Sequence, residues 1–384
     1  MIEIGKKEDC NGCHACTNIC PKNCISMIVD NEGFWYPKVN EELCVECNLC
    51  NKVCPIINTP KRNNNTLAYA CKSKDEVVRS ESSSGGIFTL LCEYVINNNG
   101  VVFGAAYNEE FNVSHCYVET IEECAKFRGS KYVQSIIGDT YRTAKEFLNK
   151  GRVVLFSGTP CQISGLRSYL MKDYENLYLI DIACHGVPSP NVYRKYINKI
   201  SKLNSTKIIN IQFREKSNGW KDYNFKVTFE DGEFKNKRVE NKYMKGFLSD
   251  LFLRPSCYEC KFKKPITSAD ITLADYWGVE NIHKEFDDDK GISLVLVNTN
   301  KGAKLLNNIS NNMKIIETNY DYAIKCNPSI VKPVDKNIKR DKFFSKIDKN
   351  DIEKNIDKYT KVGFTYRAIR RIKGCIKKIK INSI

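Results

Sequence analysis

The chain has 384 residues, of which 42% are hydrophobic and 27% charged, a size and composition that exclude wholesale disorder and favour two or three domains. Its apolar stretches are too short for a membrane span and its first residues hold no secretory signal, so the sequence predicts a cytoplasmic protein. Nineteen cysteines in such a chain favour metal or redox sites over disulfides, and the net charge of +15 is concentrated after Thr360, where eight basic residues follow with no acid.

Two cysteine runs with the same spacing stand near the start. The first is Cys10, Cys13, Cys16 and Cys20 before Pro21, and the second is Cys44, Cys47, Cys50 and Cys54 before Pro55. Gaps of two residues let one tight loop bring three thiolates to an iron-sulfur cubane, and in ferredoxin runs of this kind the fourth cysteine binds the other cluster. Residues 1–60 therefore resemble a two-cluster 4Fe-4S ferredoxin. One cluster takes Cys10, Cys13, Cys16 and Cys54, and the other takes Cys44, Cys47, Cys50 and Cys20.

Zinc is the alternative for these runs, because paired Cys-x-x-Cys units also bind zinc tetrahedrally. Zinc sites rarely need four cysteines in each run, and here both runs end in Cys-Pro. The repeated spacing therefore favours iron-sulfur clusters. His14 and Cys24 lie within the module but outside the ligand pattern, and we interpret both as structural or solvated.

After a polar, turn-forming linker at 61–66, apolar runs of strand type alternate with helical patterns. The patterns predict strands over 101–107, 153–156, 177–182, 208–213 and 225–229, helices over 86–96 and 140–148, and a turn at 231–232. The alternation predicts an α/β domain over 67–335, with a mixed sheet and α+β insertions.

Three loops of this domain carry unusual residues. Small hydroxyl and glycine residues at 82–86 precede a helix, where unpaired backbone amides suit a phosphate, although a simple helix cap explains them equally well. The loops at 156–162 and 183–190 follow predicted strands, at the place where α/β proteins bind ligands. No GxGxxG fingerprint follows a strand, which argues against a nicotinamide-dinucleotide domain.

Seven segments of the domain, in order, resemble the beta subunits of coenzyme F420 hydrogenase/dehydrogenase and their relatives. These segments are SSSGG (82–86), GSKYVQS (129–135), FSGTPCQISGL (156–166), CHGVPSP (184–190), FREKSNGW (213–220), CYECKFK (257–263) and ADITLADYWG (269–278). The resemblance spans most of residues 67–300 and is specific for the family, but much less so for a substrate.

The resemblance implies FAD and a third 4Fe-4S cluster in the α/β domain. The implied flavin contacts are Ser84, Gly85, Gly86, Lys131, Tyr132, Gln134, Ser135, Gly158, Thr159 and Pro160. The implied ligands of the third cluster are Cys161, Cys184, Cys257 and Cys260. Lys131 is expected to neutralise a phosphate or the reduced flavin, and a solvated surface lysine is the alternative.

Residues 336–384 form a basic C-terminal extension that we expect to be helical. Isoleucines recur at helical spacing over 364–381 with lysines and arginines between them. Such a helix suits an anionic membrane surface or an acidic partner, and it equally suits packing on its own domain. Nucleic-acid binding is not expected, because the chain lacks a recognised motif for it.

The sequence thus predicts an iron-sulfur flavoprotein oxidoreductase. Its 4Fe-4S clusters would exchange electrons with FAD, which would exchange a hydride with a deazaflavin of the coenzyme F420 type or another organic substrate. Its partners would be a ferredoxin or other redox protein and a small-molecule donor or acceptor. The alternative is an electron-transfer subunit or adaptor without its own substrate, serving a partner enzyme, for example in polysaccharide biosynthesis.

Overall fold

An eight-stranded mixed sheet is the framework of the larger part of the chain. The computed structural model describes residues 1–59, 66–204, 206–263 and 267–361. The strands are β1 (Ile25–Val29), β2 (Trp35–Val39), β3 (Leu67–Ser73), β4 (Val101–Tyr107), β5 (Val113–Val118), β6 (Val154–Gly158), β7 (Leu177–Ile182), β8 (Ile208–Glu215), β9 (Asn224–Phe229), β10 (Glu233–Lys237), β11 (Ile271–Asp275), β12 (Ser293–Val297) and β13 (Met313–Thr318).

Short and medium helices surround the sheets. They are α1 (Ala15–Ile19), α2 (Leu49–Lys52), α3 (Glu76–Glu81), α4 (Ile87–Asn97), α5 (Thr140–Asn149), α6 (Pro160–Leu170), α7 (Pro190–Ser201), α8 (Lys242–Phe247), α9 (Pro255–Tyr258), α10 (Asn300–Asn308), α11 (Tyr320–Cys326), α12 (Arg340–Phe344) and α13 (Ile352–Thr360). Short 3-10 helices lie at Lys7–Asp9, Glu41–Leu43, Glu122–Phe127, Val279–Asn281, Lys284–Phe286, Ser310–Asn312 and Pro328–Ile330.

The sheet order is β13-β3-β12-β11-β7-β6-β4-β5. Strands β11, β7, β6 and β4 are parallel neighbours, whereas β12 runs antiparallel to both β11 and β3. Strands β3, β11, β7, β6 and β4 therefore all end at the same edge. Because ligands of α/β proteins bind outside the carboxyl ends of parallel strands, this edge is where a cofactor site is expected.

The predicted mixed sheet is confirmed, and most predicted elements lie where expected. The predicted strands over 101–107 and 177–182 coincide with β4 and β7, and the turn at 231–232 joins β9 to β10. Strand β6 runs two residues beyond the predicted end, because Ser157 and Gly158 still pair with β7. Strand β12 is buried along its whole length. A strand covered on both faces of the sheet is apolar throughout, because neither face meets water.

A three-stranded antiparallel sheet, β10-β9-β8, builds a second core. Its inner face packs aromatic rings against α7 and α8, with Phe213, Phe225 and Tyr243 among them. Helices α12 and α13 join the same core through Phe343 and Ile356. The described start of the predicted C-terminal extension is thus part of this core, while the predicted basic helix over 364–381 lies outside the described residues. In the described part of the chain, no helix is both long and apolar enough to cross a membrane.

Candidate functional site

The first cysteine loop surrounds a small cavity. Gly12 and His14 both have left-handed backbone conformations, which wrap the loop into tight turns. The cavity has a volume of about 340 Å³, and its lining includes Cys10, Cys13, Cys16 and Cys54. This is the crossed set predicted for one cluster, and we call it the inner quartet.

The second cavity lies on the other side of the ferredoxin module. It has a volume of about 360 Å³, and its lining includes Cys20, Cys44, Cys47 and Cys50, which we call the outer quartet. Cys47 is exposed. Cys24 lies at the same cavity with its Sγ 3.3 Å from that of Cys20, a proximity that the spacing pattern did not indicate.

The thiols of the inner quartet can ionise together only if a bound positive charge compensates them. Burial raises the pKa of the Cys13 thiol well above its ordinary value, and neighbouring thiols, Cys16 before Cys54 and Cys10, raise it further. The same causes raise the pKa of Cys16. Four thiolates this close and this buried require compensating positive charge, which an iron-sulfur core provides. The residues of this module therefore fit 4Fe-4S clusters.

Cys161, Cys184, Cys257 and Cys260 converge from three segments, and we call them the third quartet. Cys161 lies in the first turn of α6, Cys184 follows β7, and Cys257 lies on α9. Burial raises the pKa of Cys161 to about 12, and the neighbouring Cys260 and Cys257 contribute. Burial raises the pKa of Cys257 to about 11. Burial also raises the pKa of Cys184 well above its ordinary value, and the neighbouring Cys257 thiol raises it as well.

Polar donors approach the sulfurs of the third quartet. The amide of Val187 donates to Cys257 Sγ at 3.4 Å, and Thr159 Oγ1 lies 3.1 Å from Cys161 Sγ. Donors of this kind stabilise cluster sulfurs. Across the described residues, no group of three or more His, Cys, Asp or Glu is arranged to hold a single metal ion.

The loop predicted to hold flavin phosphate packs against β3 and β12. Ser84 Oγ donates to the carbonyl of Ile292 at 2.9 Å, and the Gly85 amide donates to Ser293 Oγ at 3.0 Å. A Cβ on Gly85 would lie 2.5 Å from the carbonyl oxygen of Cys71, so only glycine fits there. Gly86 precedes α4 in the left-handed conformation, and no side chain caps the helix within the described part of the chain. The first amides of α4 thus remain suited to an anion.

The loop at 129–135 contacts the 82–86 loop. Two of its predicted flavin contacts, Lys131 and Tyr132, interact with other parts of the protein. Ser83 Oγ accepts from the Ser130 amide at 2.6 Å, which joins the two loops. Lys131 Nζ donates to three carbonyls of its own turn, the shortest at 3.1 Å to Arg128. Burial lowers the pKa of Lys131 to about 8. Tyr132 stacks on Phe247 with ring centroids 4.8 Å apart.

The other predicted flavin residues form a buried polar network. Ser135 Oγ lies 3.0 Å from His115 Nδ1 and accepts from Gln162 Nε2 at 3.0 Å. Gln162 also closes a capping box with Thr159 at the start of α6, next to Gly158. Gln134 bonds the ferredoxin module through the carbonyl of Asn11 at 3.3 Å. The network leads from the end of β6 to the module interface, and it positions Cys161.

Sequence reasoning missed a polar cavity beside the third quartet. It has a volume of about 400 Å³ and is lined by Pro160, Asp181, Cys184, Thr272 and Asn298, among others. Asp181 is buried, and its Oδ2 accepts from Thr267 at 2.5 Å. Burial raises the pKa of Asp181 to about 6. An isolated aspartate in an apolar strand gave no signal for this cavity.

A second missed group lies at the end of β11. Arg214 is buried and bonds Asp275 at 2.6 Å, while Trp220 stacks on Trp277 with centroids 4.7 Å apart. Among the described residues, the Arg214 Nε and Nη2 atoms have no hydrogen-bond partner. These residues lie within two of the segments that carry the family resemblance. That resemblance was the only feature of the sequence that could have indicated them.

Comparison with known proteins agrees with this arrangement. Residues 151–322 match the family model for the C terminus of the coenzyme F420 hydrogenase/dehydrogenase beta subunit, and residues 9–56 match the model of a 4Fe-4S dicluster domain. These matches confirm the predicted family resemblance and the predicted two-cluster module. FAD, the third cluster and the individual site residues stay predictions.

Two relatives come from Methanocaldococcus jannaschii. A coenzyme F420-dependent sulfite reductase is 28% identical over 200 residues, which are 49% of this chain and 29% of that protein. An uncharacterized polyferredoxin-like protein is 38% identical over 60 residues, 14% of this chain and 36% of that protein. The chain thus spans about a third of the length of these relatives. A chain of the F420-reducing NiFe hydrogenase complex from Methanosarcina barkeri has a TM-score of 0.48 at 17% identity, over 70% of this chain and 89% of that chain.

Proposed function

We propose that this chain is an iron-sulfur flavoprotein oxidoreductase. Residues 151–322 match the family model for the C terminus of coenzyme F420 hydrogenase/dehydrogenase beta subunits, and they follow a match to a 4Fe-4S dicluster domain. The chain would pass electrons between its clusters and FAD, with hydride exchange to a deazaflavin or another organic substrate. The observation that carries this proposal is the convergence of four cysteines from three segments beside the ferredoxin module.

Each part of the site has a role in this proposal. Cys161, Cys184, Cys257 and Cys260 would hold the third cluster, which carries one electron at a time. FAD, when bound, converts between one-electron and two-electron transfer. The uncapped start of α4 at Gly86 would bind its phosphates, and the backbone of the 82–86 loop would position them against β12.

The remaining predicted flavin contacts would act from the 129–135 and 158–160 loops. Lys131, held by its own turn, would present a positive charge to the flavin, and Ser135 with Gln162 would fix the loop that carries Cys161. Tyr132 and Gln134 would shape the side of the site that faces the α/β core and the ferredoxin module. This chain's residues thus bind and orient, while the flavin supplies the chemistry.

Exchange of Cys161 for serine tests the proposal. In anaerobically purified protein we expect C161S to lose about four of about twelve irons, to keep FAD, and to lose flavin reduction by reduced ferredoxin. C71S is the matched control, because Cys71 is a buried cysteine on β3 that lies outside the three quartets. Unchanged iron content and unchanged flavin reduction in C161S would refute the proposal.

One observation favours a second candidate, an electron-transfer subunit that serves a partner enzyme. The outer quartet opens to the surface at Cys47, and the apolar side chains of Leu43 and Val45 beside it are 56% and 57% exposed. An exposed apolar rim suits a protein partner. This candidate predicts a stable complex and no deazaflavin turnover by the isolated chain, whereas the main proposal predicts turnover.

A further inference from the structure

Arg254 lies between the ferredoxin module and the third quartet. Its side chain is fully buried, and it immediately precedes α9, which carries Cys257. Its Nε donates to the carbonyl of Cys10 at 2.8 Å and its Nη2 to the carbonyl of Trp35 at 2.8 Å. Its Nη1 donates to Gln134 Oε1 at 3.1 Å. One guanidinium thus connects the loop of the inner quartet to the segment of the third quartet.

These three acceptors are all neutral. No carboxylate pairs with Arg254 in the portion of the chain that the structure describes. Arg340 differs from Arg254 in its partner. It is also buried and also contacts the ferredoxin module, but it donates to both carboxylate oxygens of Glu32. A buried positive charge without a counterion is strongly unfavourable. The charge of Arg254 is compensated when the thiolate quartets beside it carry negatively charged clusters.

Arg254 contacts the main chain beside both quartets. The amide of Cys257 donates to the main-chain carbonyl of Arg254 at 2.9 Å. At the other side its nitrogen bonds the main chain of Cys10 itself. It also lies 4.3 Å from the ring centre of Tyr36, an arrangement that excludes water from this side of the guanidinium.

Helix α6 brings the same two quartets together by a second contact. A Cβ on Gly165 would lie 3.0 Å from the Sγ of Cys13, so the helix backbone touches the inner quartet. Cys161 is one helical turn before Gly165 on the same face. The outer quartet opens to the surface at Cys47.

We propose that Arg254 is a positioning residue that holds the inner quartet against the third quartet and sets the reduction potentials of both, so that electrons pass from the outer to the inner to the third cluster. This inference rests on the proposed function. A cluster gains negative charge when it is reduced, and a nearby positive charge stabilises the reduced form. Removal of that charge therefore lowers the midpoint potential.

Redox titrations monitored by electron paramagnetic resonance test this on the full chain. R254M removes the charge and R254K keeps it. The matched control is the double variant R340M/E32Q, which removes a buried contact with the same module but no net charge. We expect lower midpoint potentials for the inner and third clusters in R254M, near-wild-type potentials in R254K, and no shift in the control or in the outer cluster. If R254M loses iron, R254Q replaces it, because its amide still donates to the carbonyls.

Two results would overturn the role of Arg254. One is unchanged potentials in an iron-replete R254M or R254Q protein, and the other is an equal shift in R340M/E32Q. The order of the clusters has its own test, because magnetic interaction with the third cluster should broaden the signal of the inner cluster and vanish in C161S. The C47S variant identifies the signal of the outer cluster. If C161S changed the broadening of that signal and left the signal of the inner cluster unchanged, the order of the clusters would be refuted. About eight irons in the wild type would refute the third cluster and the proposed function, while the R254M shift of the inner cluster would still decide the role of Arg254.

Discussion

At Gly165, α6 passes so close to the first cysteine loop that no side chain fits. A Cβ there would lie 2.9 Å from the Cβ of Cys13 and 3.0 Å from the hydroxyl of Tyr141. Close packing leaves no room for even one methyl group at such a contact. The absence of a side chain at this position is therefore a requirement of the module interface.

G165A should lower the free energy of unfolding by about 1–3 kcal/mol, because the added methyl overpacks a filled site. The helix propensity of alanine would act in the opposite direction. Anaerobic urea unfolding measures the change. G5A is the control, because nothing lies within 4 Å of a Cβ at Gly5. Equal stability of G165A and G5A would contradict the close contact.

Asp181 makes stability depend on pH. Burial raises its pKa to about 6, so the folded chain holds this proton more tightly than the unfolded chain. The contribution of the group to stability is present at pH values below its ordinary pKa and is lost as the pH rises through about 6. At neutral pH the folded state thus holds a buried carboxylate, which is unfavourable.

D181N should therefore be more stable than the wild type above pH 6, by about 3 kcal/mol if the full shift counts, and the gain should vanish below about pH 4. The asparagine keeps an acceptor for the Thr267 hydroxyl, so the change isolates the charge. Unfolding midpoints across this pH range measure it. A difference that does not vary with pH would contradict the assignment.

Helix caps connect elements as well as ending them. Ser189 caps α7 by accepting from the amide of Val192 at 3.1 Å, and its hydroxyl also donates to the carbonyl of Glu32 in the β1–β2 turn. Arg340 bonds the carboxylate of the same Glu32. One turn of the ferredoxin module is thus held by two elements of the second core.

S189A should cost about 1–2 kcal/mol, because it removes the cap and leaves the Glu32 carbonyl without this donor. N319A is the control, since Asn319 caps α11 through the amide of Tyr322 and has no hydrogen bond to the ferredoxin module among the described residues. We expect N319A to cost about 1 kcal/mol or less. Anaerobic unfolding of both variants compares them, and a larger loss in N319A would show that the Glu32 contact contributes little.

At the scale of the whole molecule, two bodies share one interface but differ in what stabilises them. Residues 1–59 contain two short strands and two short helices around the inner and outer quartets. A domain of about 60 residues buries a small apolar core that supplies little stability, so bound metal contributes much of it. The α/β domain instead has continuous apolar strands covered on both faces, such as β12.

Removal of the clusters with an oxidant and chelator should therefore unfold the ferredoxin module first. Hydrogen exchange followed by mass spectrometry should show fast exchange across 1–59 and faster exchange around Gly165 and Arg254. Strands β4, β6 and β7 should stay protected, because their hydrogen bonds lie inside the buried sheet. Uniform exchange over the whole chain would contradict a separable module.

The sequence alone determined the ferredoxin module and the type of the second domain. The repeated cysteine spacing is a local property, so it predicted the crossed sets that line the inner and outer cavities. Apolar runs predicted β4 and β7 because a buried strand needs such a run wherever it lies in the fold. The four cysteines of the third quartet came from the family resemblance, since their spacing has no period.

Only the tertiary structure decided how these parts meet. Arg254 and Cys10 are 244 positions apart, and no local pattern relates them. Asp181 faces a polar cavity because β7 pairs with β11 at that residue, a register set by packing across the sheet. Local spacing specifies a loop and its ligands, whereas long-range contacts depend on the summed packing of the chain, which a single sequence does not display.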